Sequence, residues 1–479
     1  MVRAVVVGSG PNGLAAGLSL ALAGVDITVL EAKDQVGGGT ASAELTLPGL
    51  IHDVCSGFHP LAVDNAFSRS VDLEAHGLQW RWPEIQYSHP LGTEGDGAAA
   101  FQSQSATAHT LGVDAVRWKQ VFGSLIADFP QTSLDVMQPM ARIPRHPVKL
   151  AKFGLRAAVP ATVLASAFKT EQARALLGGV AAHGLISFGR PLSASVGTAL
   201  AVAAHTYGWP VAEGGSAAIS QAMTAALRER GARIHTGVAV TTLRELRDAD
   251  LVMLDVSPSA AITIMGDLMP SRIRRSLRSF RHGPAAFKVD YAIDGGVPWK
   301  HLPSRAAGTV HLGGTFSQIR HAENQVLRGR VPAEPFVLVG QQFLADPTRS
   351  HESVNPLYAY AHVPHGFTGD LTDVVTATIE RYAPGFRERI VAQTSTSPRQ
   401  MERANANYVG GDIIGGASTP MQIAFRPRPA RDPYWLGYRN VFLCSSSTPP
   451  GAGAHGMCGY NAAMSALRRL GIRPTHSDQ

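Results

Sequence analysis

Two groups of residues near the start of the chain could do chemistry together: the run Gly8-Ser9-Gly10-Pro11-Asn12-Gly13 and the acid Glu31. Glycines at this spacing have separate tasks. Gly8 lets the chain turn tightly, Gly10 lets backbone approach a diphosphate, and Gly13 lets a helix pack on a strand. The helix that begins there turns free N–H groups and the positive end of its dipole towards the phosphates. Glu31 can accept two hydrogen bonds from a ribose diol, and it follows at the spacing of about 20 residues that a dinucleotide fingerprint requires. Ala32 and Lys33 continue that rim. A glycine turn that binds nothing is the competing reading; the acid in register speaks against it.

A second glycine run, Gly37-Gly38-Gly39, follows directly and ends at Thr40. Bare backbone here suits a long dinucleotide lying along the protein, with N–H groups facing its phosphate and ribityl chain. The chain has no second dinucleotide fingerprint. One tightly held FAD is therefore expected in preference to a mobile NAD. A flexible loop is the alternative.

The flanking elements must position these groups. Arg3–Val7 and Asp26–Leu30 read as strands around an apolar helix. Two later segments return to them. Within Gly208–Ser257, a helix from Ser216 to Arg230 precedes a strand Ala232–Val240 and a buried strand Leu251–Val256. Near the C-terminus, a strand Val441–Cys444 leads into a Gly/Ser/Pro loop carrying Ser446, His455, Gly456 and Met457, then a helix Tyr460–Leu470 closed by Gly471. This second helix N-terminus could stabilise negative charge, or merely cap the fold.

The fold class expected is α/β. Segments 1–58, 208–257 and 437–479 make a discontinuous Rossmann-type dinucleotide domain. Segments 59–207 and 258–436 make an inserted α+β substrate domain. The first insertion reads mainly helical, with Leu192–Tyr207 as a buried helix. The second has strand runs at Ala286–Ile293, Gly308–Leu312, Pro335–Phe343 and Tyr358–His362, and a helix at Asp373–Tyr382.

Composition sets bounds. The 479 residues are 45% hydrophobic and 16% charged, as in a globular protein of more than one domain. No apolar run is long enough for a membrane span. The N-terminal run is broken by Gly8, Gly10 and Pro11 and does not read as a signal peptide, so a cytoplasmic location is expected. Cys55, Cys444 and Cys458 are too few and scattered for a disulfide framework or zinc site, and no metal is expected. The net charge of +7 is spread out. No Lys/Arg run interleaves with aromatics, which argues against nucleic acid. One cluster stands apart: Arg142, Arg145, Lys149, Lys152 and Arg156 lie among Val148, Leu150, Phe153 and Leu155. It fits either peripheral contact with an anionic membrane or a solvated basic face.

The motifs Gly8–Glu31 and Gly37–Gly39, with His52-Asp53-Val54-Cys55-Ser56, Phe287-Lys288-Val289-Asp290-Tyr291, Val310–Gly314, Tyr360–Pro364, Gly410–Ile413 and Pro450–Ala463, carry a resemblance. Over nearly its whole length the chain resembles the phytoene-desaturase-like FAD oxidoreductases, in the branch described as pyridine nucleotide-disulphide oxidoreductase domain-containing protein 2-like. That group is similar in fold to the amine oxidases and the Rab GDP-dissociation inhibitors. The resemblance implies FAD-dependent dehydrogenation of a hydrophobic, often isoprenoid, molecule. It also implies that backbone at Val238 and Val240 meets the adenine. There are departures. Ser446 stands where carotenoid desaturases carry an acid. Thr241–Asp250 is too short for the usual three-stranded excursion. Gln35 and Gly39 occupy places where an arginine is common.

The implied reaction is desaturation, with a hydride leaving for the flavin and a proton leaving the neighbouring carbon. The cofactor carries the hard chemistry, so few side chains are needed, and an apolar tunnel would suit the substrate. His455 is the candidate acid–base group, His59 a weaker one; packing or helix capping is the alternative for both. His362 and His365 form an H-x-x-H pair without a third ligand. Asn405 and Asn407 read as a turn. A flavin amine oxidase and a redox-inactive lipid- or protein-binding relative remain as further readings. The electron acceptor and the oligomeric state are not specified.

Overall fold

The computed structural model describes residues 2–473. Its first sheet is built from three distant pieces of chain. β1 (Arg3–Val7), α1 (Pro11–Leu22) and β2 (Asp26–Leu30) open it; α2 (Ala217–Glu229), β3 (Arg233–His235) and β4 (Leu251–Leu254) return to it; β5 (Val441–Leu443) and α3 (Met457–Leu470) complete it. The strand order is β5-β4-β1-β2-β3, and every pair is parallel. Helices cover the sheet, so β4 is buried along its whole length, as its unbroken apolar sequence requires.

Two boundaries move. β3 stops at His235 rather than Val240, because Gly237 adopts a φ of 71° that turns the chain out of the strand. α3 starts at Met457 rather than Tyr460: Gly456, also left-handed at 71°, feeds the chain straight into the helix. Gly459 lies in its first turn, and a Cβ there would strike the Asn12 carbonyl oxygen. That glycine lets α3 and α1 cross with backbones touching. Thr241–Asp250 holds one 3₁₀ turn, Leu243–Leu246, under a Thr242/Glu245 capping box, in place of a three-stranded excursion.

The second sheet has seven strands in the order 390–396, 285–294, 354–363, 337–340, 307–312, 85–90, 97–101. The four runs expected in the second insertion are all strands. The hairpin Ile85–Pro90 and Gly97–Phe101 was not expected, because the first insertion reads as helical. Ala98, Ala99 and Ala100 favour helix, yet they are buried against a neighbouring strand, and packing overrides propensity. Ile85–Pro90 pairs in parallel with Ala307–Leu312, so both insertions build one sheet. Helices Ala115–Val136, Glu171–Ala182 and Ala194–Thr206 share a core cluster with its residues Tyr87, Leu338 and Tyr358.

A buried ion network joins the segment after strand 337–340 to two short strand segments outside both sheets, His52–Asp53 and Val211–Ala212. Arg349, 1% exposed, pairs with Asp53 at 2.5 Å and with Asp346 at 2.9 Å, and it donates to the Ala212 carbonyl at 2.7 Å. Burial alone would raise the Asp53 pKa; the Arg349 charge and the Ser216 N–H outweigh it and hold it below its ordinary value. Breaking one side strands a buried charge. Arg349→Ala is expected to cost about 3–5 kcal/mol, read as a lower urea midpoint with the folded far-UV spectrum retained. A loss under 1 kcal/mol would contradict this account.

Candidate functional site

The expected binding residues gather at the C-terminal edge of the first sheet. Gly8 turns at φ 98° and donates to the Leu30 carbonyl at 2.8 Å. Glu31 stands at the end of β2. Its Oε2 accepts from the Ser9 N–H at 2.8 Å and the Ser9 hydroxyl at 2.6 Å, and its Oε1 from the Lys33 N–H at 2.9 Å. A carboxylate has about four lone-pair sites, so these bonds orient it without exhausting it. Gly237 and Val238 donate to the Lys33 and Glu31 carbonyls at 2.9 and 2.8 Å. Val238 backbone therefore lies beside the acid, although no strand reaches it. The Val240 side chain, two residues on, packs against a cluster that includes Leu243, Leu246 and Val252. Ala32 and Lys33 are exposed. Thr40 is buried, its hydroxyl donating to the Gly37 carbonyl at 2.8 Å.

Sequence reasoning missed the residue beneath the glycine turn. Asp255, directly after β4, takes the Gly13 N–H on Oδ2 at 2.9 Å and is also bonded by the Gly10 N–H. A Cβ on Gly8 would lie 2.8 Å from the Asp255 carbonyl oxygen, and one on Gly10 2.7 Å from Oδ2. Two N–H groups assigned above to a diphosphate are thus engaged by a carboxylate from within. The signal was present: an acid ends an apolar parallel strand, as Glu31 ends β2. Burial, helped by the Glu31 charge, lifts Asp255 from its ordinary 3.8 to about 6 against the two N–H bonds. An acid raised on folding holds its proton better in the folded chain, so stability falls as pH climbs from about 4 to 6, on the order of 3 kcal/mol in all. Asp255→Asn is expected to flatten that slope and raise the melting temperature near neutral pH. An unchanged slope would remove Asp255 as its source.

A fourth piece of chain crosses the glycine loops. Asn405 and Tyr408 make the expected turn, with the Tyr408 N–H on the Asn405 carbonyl at 2.9 Å. This turn also roofs the site. The Tyr408 hydroxyl fills the place of a Gly39 side chain, and a Cβ on Gly38 would lie 3.0 Å from the Gly10 α-carbon. Asn407 Nδ2 donates to the Asp255 carbonyl at 3.0 Å, and Lys33 Nζ to the Arg403 carbonyl at 2.7 Å. Tyr408 is hydrogen-bonded to the Cys55 thiol, and burial raises the pKa of both. Ser446 faces Gly415, where a Cβ would clash with its hydroxyl, and its carbonyl accepts from Arg426.

His455 has a structural task. Its Nδ1 accepts the Met457 N–H at 3.1 Å at the start of α3, and its Nε2 lies 3.2 Å from the Ala452 carbonyl. Both ring nitrogens are spent on backbone, and burial lowers its pKa to about 4. His59 is bonded to Ser216 at 2.9 Å and is likewise lowered to about 4 by burial. His362 pairs with Glu323 at 2.7 Å, while His365 turns to the Gly283 carbonyl. Among the described residues no group of three or more His, Cys, Asp or Glu could hold a metal.

One face of the second sheet carries polar side chains beside the apolar cluster it shares with the helices. Tyr87 pairs with Thr309, Lys288 with Tyr360, and Asp290 with Tyr358. Lys288 is ion-paired to Asp290 and lies 5.2 Å from the Tyr358 ring. His183 meets His311 at 2.8 Å. Burial pushes His89 to about 4 and His183 to about 3, so these imidazoles are neutral. The Tyr87 and Thr309 hydroxyls and Nδ1 of His89 and His311 are buried without a partner. Separately, a cavity of about 290 Å³ lies between Ala62–Trp80, Ile219 and Met223 of α2, and Ala454-His455. No residue of the glycine loops lines it.

The residues fit a dinucleotide. The glycines leave no room for side chains, Glu31 is oriented by Ser9, and Asn12 has a buried amide oxygen with no partner. Residues 6–70 match the model of an NAD(P)-binding Rossmann-like domain. The chain is 23% identical to the mouse protein called pyridine nucleotide-disulfide oxidoreductase domain-containing protein 2, over 98% of this chain and 93% of that one. It is 25% identical to phytoene dehydrogenase of Streptomyces griseus, over 94% and 91% of the two chains. The structure of cyclohexylamine oxidase from Brevibacterium oxydans superposes with a TM-score of 0.57 at 16% identity, covering 98% and 99%. From end to end the chain is therefore similar to these oxidoreductases, and its Rossmann-like architecture is that of the FAD-dependent oxidoreductase fold.

Proposed function

We propose that the chain is an FAD-dependent oxidoreductase that removes two hydrogens from neighbouring carbons of a hydrophobic small molecule, isoprenoid or polyene in kind. The observation that carries this is the convergence of Gly8–Gly13, Glu31, the Val238 backbone and the Ser446–Met457 loop around one sheet. In this reading Gly8, Ser9, Gly10, Pro11, Asn12, Gly13, Glu31, Ala32, Lys33, Gly38, Gly39, Thr40, Val238, Val240, Ser446, Gly456 and Met457 hold the FAD. Segments 1–58, 208–257 and 437–479 form its domain, and 59–207 and 258–436 the substrate domain. The likeness to phytoene dehydrogenase supports the substrate class.

A bound flavin would supply hydride acceptance. The chain's own residues orient the substrate and exclude water. Around the Cys55 thiol, burial raises the pKa of the thiol itself and of Tyr358, Tyr360 and Tyr408. These groups stay protonated at neutral pH and act as hydrogen-bond donors rather than bases. The reading therefore assigns no catalytic role to His455.

The protein should purify yellow, and Glu31→Ala should weaken FAD binding roughly tenfold or more, the worth of a lost charge-assisted bond. A colourless protein that takes up no FAD would favour the redox-inactive reading. Anaerobic mixing with lipid and isoprenoid extracts should bleach the flavin, with a two-hydrogen loss seen by mass spectrometry. The likeness in fold to cyclohexylamine oxidase supports a second reading, an amine oxidase. Bleaching by an amine but not by a polyene precursor would select it.

The basic cluster lies on the helix Pro147–Ala157 and the loop before it. Ile143, Val148 and Leu155 are 89%, 68% and 71% exposed, and Lys149 and Lys152 pair with Asp128. An outward apolar stripe beside Arg142, Arg145 and Arg156 supports peripheral contact with an anionic membrane. Among the described residues no helix is long and apolar enough to cross a membrane. The protein should co-sediment with anionic vesicles and be released by salt. Equal sedimentation with and without vesicles would dismiss this contact.

A further inference from the structure

Arg426 is a buried cation with no anion beside it. It follows the short helix Pro420–Phe425 and is 6% exposed. Its Nε donates to the Gln422 carbonyl at 3.3 Å and its Nη1 to the Ser446 carbonyl at 3.2 Å. A guanidinium has five N–H donors. Its other donors find no acceptor among the described residues. The groups that feel its charge are Cys458 and Asp412. Burial raises the Cys458 thiol to about 12, so it is neutral, and it donates to the Thr448 and Gly451 carbonyls. The Asp412 carboxylate is committed to His282 and to the N–H groups of Gly283 and Ile414.

An arginine keeps its charge, and a charge taken out of water is strongly disfavoured unless it is paired. The missing partner must reach the C-terminal loop, because that is where the guanidinium lies. A Cβ on Gly451 would stand 2.7 Å from Nη1 and 3.1 Å from Cζ, so the guanidinium rests on bare backbone there. We propose that Arg426 is an anion-binding residue of the active site, receiving a delocalised anion. The source is either the electron-rich ring of the reduced flavin or a carboxylate on the substrate. This inference rests on the flavin reading above.

Two measurements on wild type, Arg426→Met and Arg426→Lys separate the sources. The two-electron potential of the bound flavin is found by equilibration with a reference dye. Benzoate affinity is found by calorimetry on each protein as purified. A ring anion gives a tenfold loss of preference for the reduced cofactor in Arg426→Met, about 30 mV for this couple, mostly restored in Arg426→Lys. A substrate carboxylate gives benzoate binding at least tenfold weaker in Arg426→Met at an unchanged potential. Either result supports the proposal. Wild-type values of both in a folded Arg426→Met, judged by its melting temperature, overturn it. If Arg426→Met does not fold, the same two measurements on Arg426→Gln decide in the same way: a tenfold change in either supports the proposal, and wild-type values of both overturn it. A preparation without flavin defeats the flavin reading, while benzoate calorimetry still decides the fate of Arg426.

Discussion

A carboxylate placed directly after a buried strand governs the approach of the first glycine turn to the sheet. Asp255 gathers the Gly10 and Gly13 N–H groups, and its own backbone presses against Gly8. The turn can sit this low only because those three positions lack side chains. α1 then starts close enough to the sheet for α3 to lie across it at Gly459. The rim that presents Glu31, the backbone of Val238 and the start of α3 follows from that one close approach. The cost is a buried acid that keeps its proton to higher pH than usual.

The fold depends on buried ion pairs as well as on apolar contacts. Arg349 bridges Asp53 and Asp346 out of water, and Lys288 and Asp290 make a second buried pair on the neighbouring sheet. Such pairs add little net stability, but they are expensive to separate, and so they fix the relative setting of the elements that carry them. The same sheet face carries neutral imidazoles and unpartnered hydroxyls. Buried polar groups left without partners are costly, so this face is the least satisfied part of the second sheet.

Much of this was legible in the residues. The glycine spacing and Glu31 placed the first βαβ unit, an unbroken apolar run placed β4, and strand-like runs at 286–293 and 358–362 placed two strands of the second sheet. The hairpin at 85–101 was not legible, because its alanines carry no strand signal of their own. Tyr408 was not singled out; only Asn405 and Asn407 beside it were read, as a turn. Nothing local says that this turn roofs Gly39, some 370 residues earlier in the chain. His455 drew notice as an imidazole in a glycine-rich loop, yet its bonds to Met457 and Ala452 are those of a helix start.

The amino-acid order by itself determined the elements and the class of ligand they suit. Strand periodicity, glycine spacing and the position of an acid are local properties, expressed wherever the chain folds. Tertiary structure alone decided which groups are buried together: Asp255 beneath the glycines, Arg349 between two aspartates, Arg426 against Gly451. Burial strips away water, and the ionisation and pairing of a charged group depend on neighbours that arrive from anywhere in the chain. Those relations are set by packing, and no window of sequence contains them.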